Sequence, residues 1–283
     1  MHLSRSGKPS NAAGQFVQQY LQREAQLGAT VLIHPVPARA AQMLSFQFGG
    51  PVGVRFYGMD VTRTAESAAF IGPQTHQRCQ LVIRGDVETF VIAFRPSAIH
   101  RLFGLPAVET IDRDHAARAV MGAAVSALTE ELGNAHSFQE RVQIADRFII
   151  TRTSRAHAAG WIELAANEIV LRHGGCRIDS LVQHTGLSIR SFQRTFQQRI
   201  GVSPKLYSRI VRFESALKAK AASPHLSWMT VAHQFGYHDQ MHMVHDFKQL
   251  SGEAPTSLLV GAEAVLRPQI DSAPEPDTHI LQL

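Results

Sequence analysis

The chain has 283 residues, enough for two ordinary domains that each bury a core. Its 45% hydrophobic and 18% charged residues exclude a disordered chain, and no window approaches 18 uninterrupted apolar residues, which excludes a membrane-spanning helix. The net charge of +5 with His neutral suits an anionic partner, and two cysteines, Cys79 and Cys176, are too few for a disulfide framework or a Cys-rich zinc site.

In chain order, the first fifteen residues are small and polar, with Arg5 and Lys8 interrupting any apolar signal segment. They are expected to be disordered, and the protein cytoplasmic in the bacterial sense. A short helix is expected from Gln15 to about Leu27, with Phe16 and Tyr20 on one side. From Thr30 to Phe94 the pattern becomes one of short strands: Thr30 to His34, Met43 to Phe48, Val52 to Tyr57, Ala68 to Ile71, Gln80 to Ile83 and Val87 to Phe94. Gly49-Gly50-Pro51 and Gly72-Pro73 punctuate them, and Gly85-Asp86 carries a tight-hairpin signal that would pair the last two as central strands. Turns about ten residues apart point to a β-barrel or sandwich.

After Arg95-Pro96 the period turns helical: Ser97 to Phe103, Asp114 to Leu132, and Phe138 to about His157. The last carries Phe138, Val142, Ala145 and Ile149 on one stripe with Phe148 beside it. That stripe suits either a dimer seam or packing on its own barrel. A further helix, Ala158 to His173, has Trp161, Ala165 and Ile169 at i, i+4, i+8, with Leu164 and Leu171 close by, and stops at Gly174-Gly175.

The stretch from Ile178 to Pro255 repeats itself. Leu181, Val182 and Gly186 recur 50 residues later as Val231, Ala232 and Gly236, while Ser188, Phe192, Phe196, Gly201 and Pro204 recur at 51 as Asp239, Met243, Phe247, Gly252 and Pro255. Each half has the order of a helix-turn-helix: an apolar helix, a Gly that stops it, and a polar N-cap opening a second helix. A helix from Pro204 to about Ala222 joins them, with Leu206, Ile210 and Phe213 inward and Arg209, Arg212, Lys218 and Lys220 outside. Its length of about 27 Å, with the flanking turns, suits two second helices one DNA turn apart, about 34 Å. From Gly160 to Ala262 there are eleven Lys and Arg against seven Asp and Glu, which places four of the five net positive charges here.

With Phe192 and Phe196 in the core, Arg190, Gln193, Arg194 and Gln197 lie on the opposite face of the first second helix, behind the Ser188 cap. Arg reads guanine and Gln adenine in the major groove, and Arg also holds phosphates. In the second copy, Met243 and Phe247 turn inward and leave Gln240, Met241, His242 and His245 outside, a face with no Arg. His238, His242 and His245 invite a metal reading, but His238 falls in the turn and no Cys or carboxylate completes a tetrahedral set. No cofactor, metal or catalytic residue is expected.

These residues resemble the AraC/XylS-type bacterial transcription regulators, whose DNA-binding domain has two helix-turn-helix units joined by a long helix. The second-unit signature stands here as Val231-Ala232-x3-Gly236-Tyr237-x9-Phe247-Lys248-x3-Gly252-x2-Pro255. The resemblance places base- and phosphate-facing positions on Arg190, Gln193, Arg194 and Gln197, and on Gln240, Met241 and His245. It departs at His245, where the family commonly has Arg, and at Met243, where it has an aromatic. The N-terminal half is similar to the cupin-like sensor domains of such regulators, although the metal-binding His-x-His motif is absent. His76, Arg95 and His100 are candidate ligand-pocket residues there.

The resulting expectation is an α+β chain of two domains: a cupin-like β-barrel for sensing and dimerisation over 1–157, with C-terminal helices, then a double helix-turn-helix over 158–262 and a flexible tail over 263–283. The implied function is a sequence-specific transcription regulator whose first recognition helix reads bases and whose second holds backbone; activator is the term it suggests, with the choice between activator and repressor left open. Its partners would be double-stranded promoter DNA, RNA polymerase, a small-molecule effector and a second copy, with no membrane. Rival readings are a regulator that sequesters protein partners without touching DNA, a small-molecule-binding cupin protein, and a DNA-repair methyltransferase. The last needs a reactive Cys and a Cys zinc site, which two lone cysteines do not supply.

Overall fold

The computed structural model of the chain describes residues 2–258. Eight strands form one antiparallel sheet: β1 His2–Gly7, β2 Val17–Val36, β3 Met43–Gly49, β4 Val52–Phe56, β5 Thr62–Thr64, β6 Ala68–Ile71, β7 Cys79–Phe94 and β8 Asp114–Ala116. Their order is β1-β2-β7-β3-β6-β8, with β4 also against β7 and β5 against β4. The sheet is therefore open, with β1 and β8 at its ends, rather than the closed barrel expected, although the α+β two-domain class holds.

The N-terminal segment expected to be disordered is strand β1, paired with β2 from His2↔Ala25 to Gly7↔Tyr20. The helix expected from Gln15 to Leu27 is the first half of β2. Tyr20 and Leu21 are both buried, in clusters on opposite faces of the sheet. A strand covered on both sides loses the alternation that marks a strand in sequence.

Gly85-Asp86 is not a hairpin either, because β7 runs straight through it. Gly85 takes a positive φ of 66° where all three neighbouring strands kink together. On one side β2 inserts extra residues between the pairs Gln26↔Asp86 and Val31↔Arg84. On the other, β3 ends and β4 begins around Gly49-Gly50-Pro51, and the Gly50 N–H donates to Asp86 O at 2.7 Å. The turn chemistry serves a bulge that bends the sheet.

One face of the sheet buries Tyr20, Leu44, Phe46, Phe70, Phe90 and Ile92 under the helices α1 Ala98–Phe103, α2 Ala117–Met121, α3 Ala124–Asn134 and α4 Phe138–Thr153. The single helix expected from Asp114 to Leu132 is broken, since its start forms β8 and Gly122 at φ 71° separates α2 from α3. Ser137 caps α4 by accepting from the Glu140 N–H at 3.1 Å, and the Glu140 carboxylate accepts from the His136 N–H at 2.8 Å. The stripe of Val142, Ala145 and Ile149 is buried in this same core. Of its two readings, packing on its own sheet is the one realised.

The helical region comprises α5 Trp161–Leu171, α6 Ile178–Gln183, α7 Ile189–Ile200, α8 Pro204–Ala222, α9 Trp228–Gln234 and α10 Gln240–Ser251. Phe192, Phe196, Ile210, Phe213, Met243 and Phe247 are fully buried at its centre. The inward face of α5 is Ile162, Ala165, Ala166 and Ile169, turned one position from the stripe expected, so Trp161 and Leu164 are 56% and 55% exposed. Two adjacent alanines let α5 approach its neighbours more closely than Trp161 would. The expected tail, 263–283, lies outside the described residues.

The two regions touch. Residues 38–40, between β2 and β3, dock on the helices: the Ala38 N–H donates to Leu250 O at 2.8 Å, and Ala38 and Ala40 belong to the helical core. A 3-10 turn at Ala107–Thr110 meets the end of α7, where a Cβ on Gly201 would lie 3.2 Å from Ala107 O.

Gly174, after α5, has φ 75°, and a Cβ there would fall 2.1 Å from Ser208 O on α8. Neither the backbone angle nor the space admits a side chain. Gly174→Ala should therefore destabilise the fold by roughly 2–4 kcal/mol, as strain at positive φ adds to overpacking. Urea unfolding of the full chain, compared at equal m, measures this.

Candidate nucleic-acid interface

In the first unit, α6 leads through Gly186, at φ 67°, to the Ser188 N-cap, whose Oγ accepts from the Ser191 N–H at 3.2 Å. The cap fixes where α7 begins and hence which side chains share a face. Phe192 and Phe196 are 0% exposed, while Arg190, Gln193, Arg194 and Gln197 are exposed on the other side. Among the described residues nothing is hydrogen-bonded or ion-paired to Arg190 or Arg194, so both guanidinium groups stay available. The rear of α7 is tied by Arg199, which donates to both oxygens of Glu163 on α5 at 3.1 and 3.2 Å. Glu163 is buried and also accepts the Gly160 N–H at 2.7 Å.

In the second unit, Ser227 caps α9 and Asp239 caps α10, accepting the Thr230 N–H at 3.0 Å and the His242 N–H at 2.7 Å respectively. The His242 N–H bond, with His238 beside it, holds the Asp239 carboxyl below its usual range. Met243 and Phe247 are fully buried; Gln240, Met241, His242 and His245 are exposed, Met241 to 73%. The His242 ring sits edge-on to Tyr237 at 5.4 Å, and His245 Nε2 lies 2.8 Å from Gln249 Nε2. This face is thus partly committed to its own neighbours. The rear of α10 is tied as α7 is: Arg209 on α8 donates through Nε and Nη2 to Asp246 Oδ1 at 3.1 and 2.7 Å.

Several residues read as exterior in the sequence do internal work. Arg209 holds Asp246; Arg212 donates to Gly174 O at 3.0 Å and lies over the Tyr237 ring; Lys220 donates to Pro224 O at 2.7 Å and lies 5.4 Å from the Trp228 ring centroid. Only Lys218 of that group is exposed, joined on this domain by Lys205 and Lys248. Glu163, Arg199 and Asp246 carry no motif, and the signal that could have found them is a lone acid on an otherwise apolar helix face. Among the described residues no group of three His, Cys, Asp or Glu could hold a metal ion. The candidate pocket residues of the sheet domain are engaged separately: His76 with Thr75 and Asp112, Arg95 with Gly14 O, and His100 with Leu105 O and the His157 ring.

Removing Arg209 would leave the Asp246 carboxylate buried without a counter-charge. Arg209→Ala should cost about 3 kcal/mol, whereas Lys218→Ala, on an exposed position, should stay within about 0.5 kcal/mol of wild type. Thermal or urea unfolding of both variants checks the contrast.

Residues 181–259 match a family described as a helix-turn-helix domain, of the AraC type. The span runs from within α6 through α7, α8, α9 and α10. No curated protein sequence matches the chain. Among solved structures, ToxT from Vibrio cholerae is similar at 11% identity, covering 92% of this chain and 98% of that one, with a TM-score of 0.48. ToxT with a bound unsaturated fatty acid is similar at 10% identity over 85% and 94%, with a TM-score of 0.47. The AraC-like transcriptional activator CuxR is similar at 10% identity over 77% and 86%, with a TM-score of 0.26. No described helix is long and apolar enough to cross a membrane.

Proposed function

We propose that the chain is a cytoplasmic transcription regulator that binds promoter DNA through 158–262 and senses an effector through 1–157. The observation that carries this reading is the pair of exposed faces on α7 and α10, each behind a side-chain-capped start, within a segment that matches a helix-turn-helix family.

The faces have different chemistry. Arg190 and Arg194 are free to make bidentate contacts with guanine or to neutralise phosphates, and Gln193 and Gln197 can pair with adenine. On α10, Gln240 is a base or phosphate donor and Met241 can meet a thymine methyl, while His242 and His245 are phosphate donors. With Lys205 and Lys248 adding positive charge, α7 reads sequence and α10 chiefly keeps register on the backbone. Ser188 and Asp239 act by setting the helix starts, and the first N–H groups of each helix can themselves face phosphates. A second copy and RNA polymerase are partners consistent with this role.

Arg190→Ala and Arg194→Ala should each cost about 1–3 kcal/mol of specific binding with the fold intact. Footprinting on genomic fragments reads it directly, and wild-type specificity in both variants would sink the assignment of the reading face. Affinity should also fall steeply between 50 and 200 mM salt, with the slope reduced in either Arg variant. A protein that only sequesters partners would show no such DNA binding at any salt concentration.

A further inference from the structure

The exposed face of α10 is joined to a buried ion pair through a single amide. Arg209 on α8 donates from Nε and Nη2 to Asp246 Oδ1, and its Nη2 also donates to Gln249 Oε1. Gln249 stands one turn beyond His245 on α10, and the two side chains meet at their Nε2 atoms, 2.8 Å apart. The Asp246 side chain is 3% exposed, while His245 and Gln249 both lie on the outside. The contacts therefore run from the core to the outer face in the order Asp246, Arg209, Gln249, His245.

Each link fixes the next. A guanidinium has only donors, so the Gln249 atom that faces Arg209 is the amide oxygen. That leaves the amide nitrogen, also a donor, against His245 Nε2. Two donors cannot share a hydrogen bond, so Nε2 accepts and the ring's one proton lies on Nδ1. Turning the amide over would admit a proton on Nε2, but it would set the Gln249 nitrogen against Arg209. The neighbouring imidazole is arranged the other way round: His242 Nδ1 accepts the His238 N–H at 3.4 Å, which leaves its proton on Nε2.

We propose that Gln249 is a positioning residue of the DNA interface: it holds the His245 ring in one orientation and one tautomer, so that Nδ1 offers a single uncharged N–H to a DNA phosphate oxygen. The inference deepens the reading of α10 as the helix that keeps register on the backbone, and rests on it. A contact of this kind adds affinity and direction without adding positive charge. A Lys or Arg at the same place would release a counterion on binding, whereas an uncharged donor does not, so its contribution persists as salt rises. His245 Nε2 is also withdrawn from base reading, because the lone pair that could accept from the amino group of adenine or cytosine is already used.

Two measurements test this at about pH 8, where an ordinary imidazole is uncharged. NMR of the imidazole nitrogens of the full chain, without DNA, should show His245, identified as the signal lost in His245→Ala, with its proton on Nδ1. In Gln249→Glu the carboxylate still accepts from Arg209 but can only accept from His245, so the proton should move to Nε2 while His242 is unchanged. A wild-type His245 protonated on Nε2, or a His245 signal that Gln249→Glu leaves unaltered, would overturn the proposal. In DNA titrations His245→Ala and Gln249→Leu should each weaken binding about five-fold. The double variant should be no weaker than either single one, and the dependence on salt should stay that of wild type. Additive losses, or a salt slope reduced by about 0.9 in His245→Ala, would equally overturn it. Should Gln249→Leu fail to fold by circular dichroism, the Gln249→Glu spectrum and the His245→Ala salt slope decide. Because the spectrum is recorded without DNA, a proton on Nε2 defeats the positioning role alone, whereas the expected spectrum in a chain that binds no DNA defeats the reading of α10.

Discussion

The placement of α10 on α8 rests on Asp246 and its partner Arg209. A carboxylate this deeply buried is a poor source of net stability, because the cost of removing two charges from water offsets most of their attraction. Its value lies in direction. A hydrophobic seam of Phe213 and Phe247, whose rings meet at 4.7 Å, allows α10 to slide or rotate on α8 by small steps, while two hydrogen bonds to one oxygen allow a single placement. Glu163 and Arg199 do the same for α7 against α5. Both α7 and α10 therefore have an apolar inner stripe that gives adhesion and one ion pair that gives register.

The sheet region adds a second layer of constraint. Residues 38–40 hydrogen-bond to the end of α10 and to Glu214 on α8, and the turn at Ala107–Thr110 closes on the end of α7. Both α7 and α10 are thus braced from behind, at their C-terminal ends, by the sheet region.

The helical region was far more legible than the sheet, for a physical reason. Capping residues, stop glycines and a 3.6-residue period are local signals, and here they occur twice, so the observed limits of α8, Pro204–Ala222, coincide with the expected ones. Strands β2 and β7 are buried on both faces or bent at a bulge, and both conditions erase the alternation by which a strand is recognised. Gly85-Asp86 has the composition of a hairpin turn, and only the pairing of β7 with β2, β3 and β4 decides that the chain continues. The long basic side chains were misplaced for a related reason. Charge type says that Arg209, Arg212 and Lys220 avoid the core, yet their stems can follow the surface back to a buried carboxylate, a carbonyl or an aromatic ring.

The two units began in the sequence as near copies, and they differ most on their exposed faces. Phe192 and Met243 occupy corresponding positions of the repeat, and Phe196 and Phe247 the next pair, and all four are fully buried in one helical core. In front, α7 carries two guanidinium groups with no hydrogen-bond or ion-pair partner among the described residues, while α10 carries imidazoles that already touch Tyr237 and Gln249. A side chain engaged with its own helix must give up that contact to reach a base, and a free guanidinium gives up only water. Under the proposed function, discrimination then falls to α7.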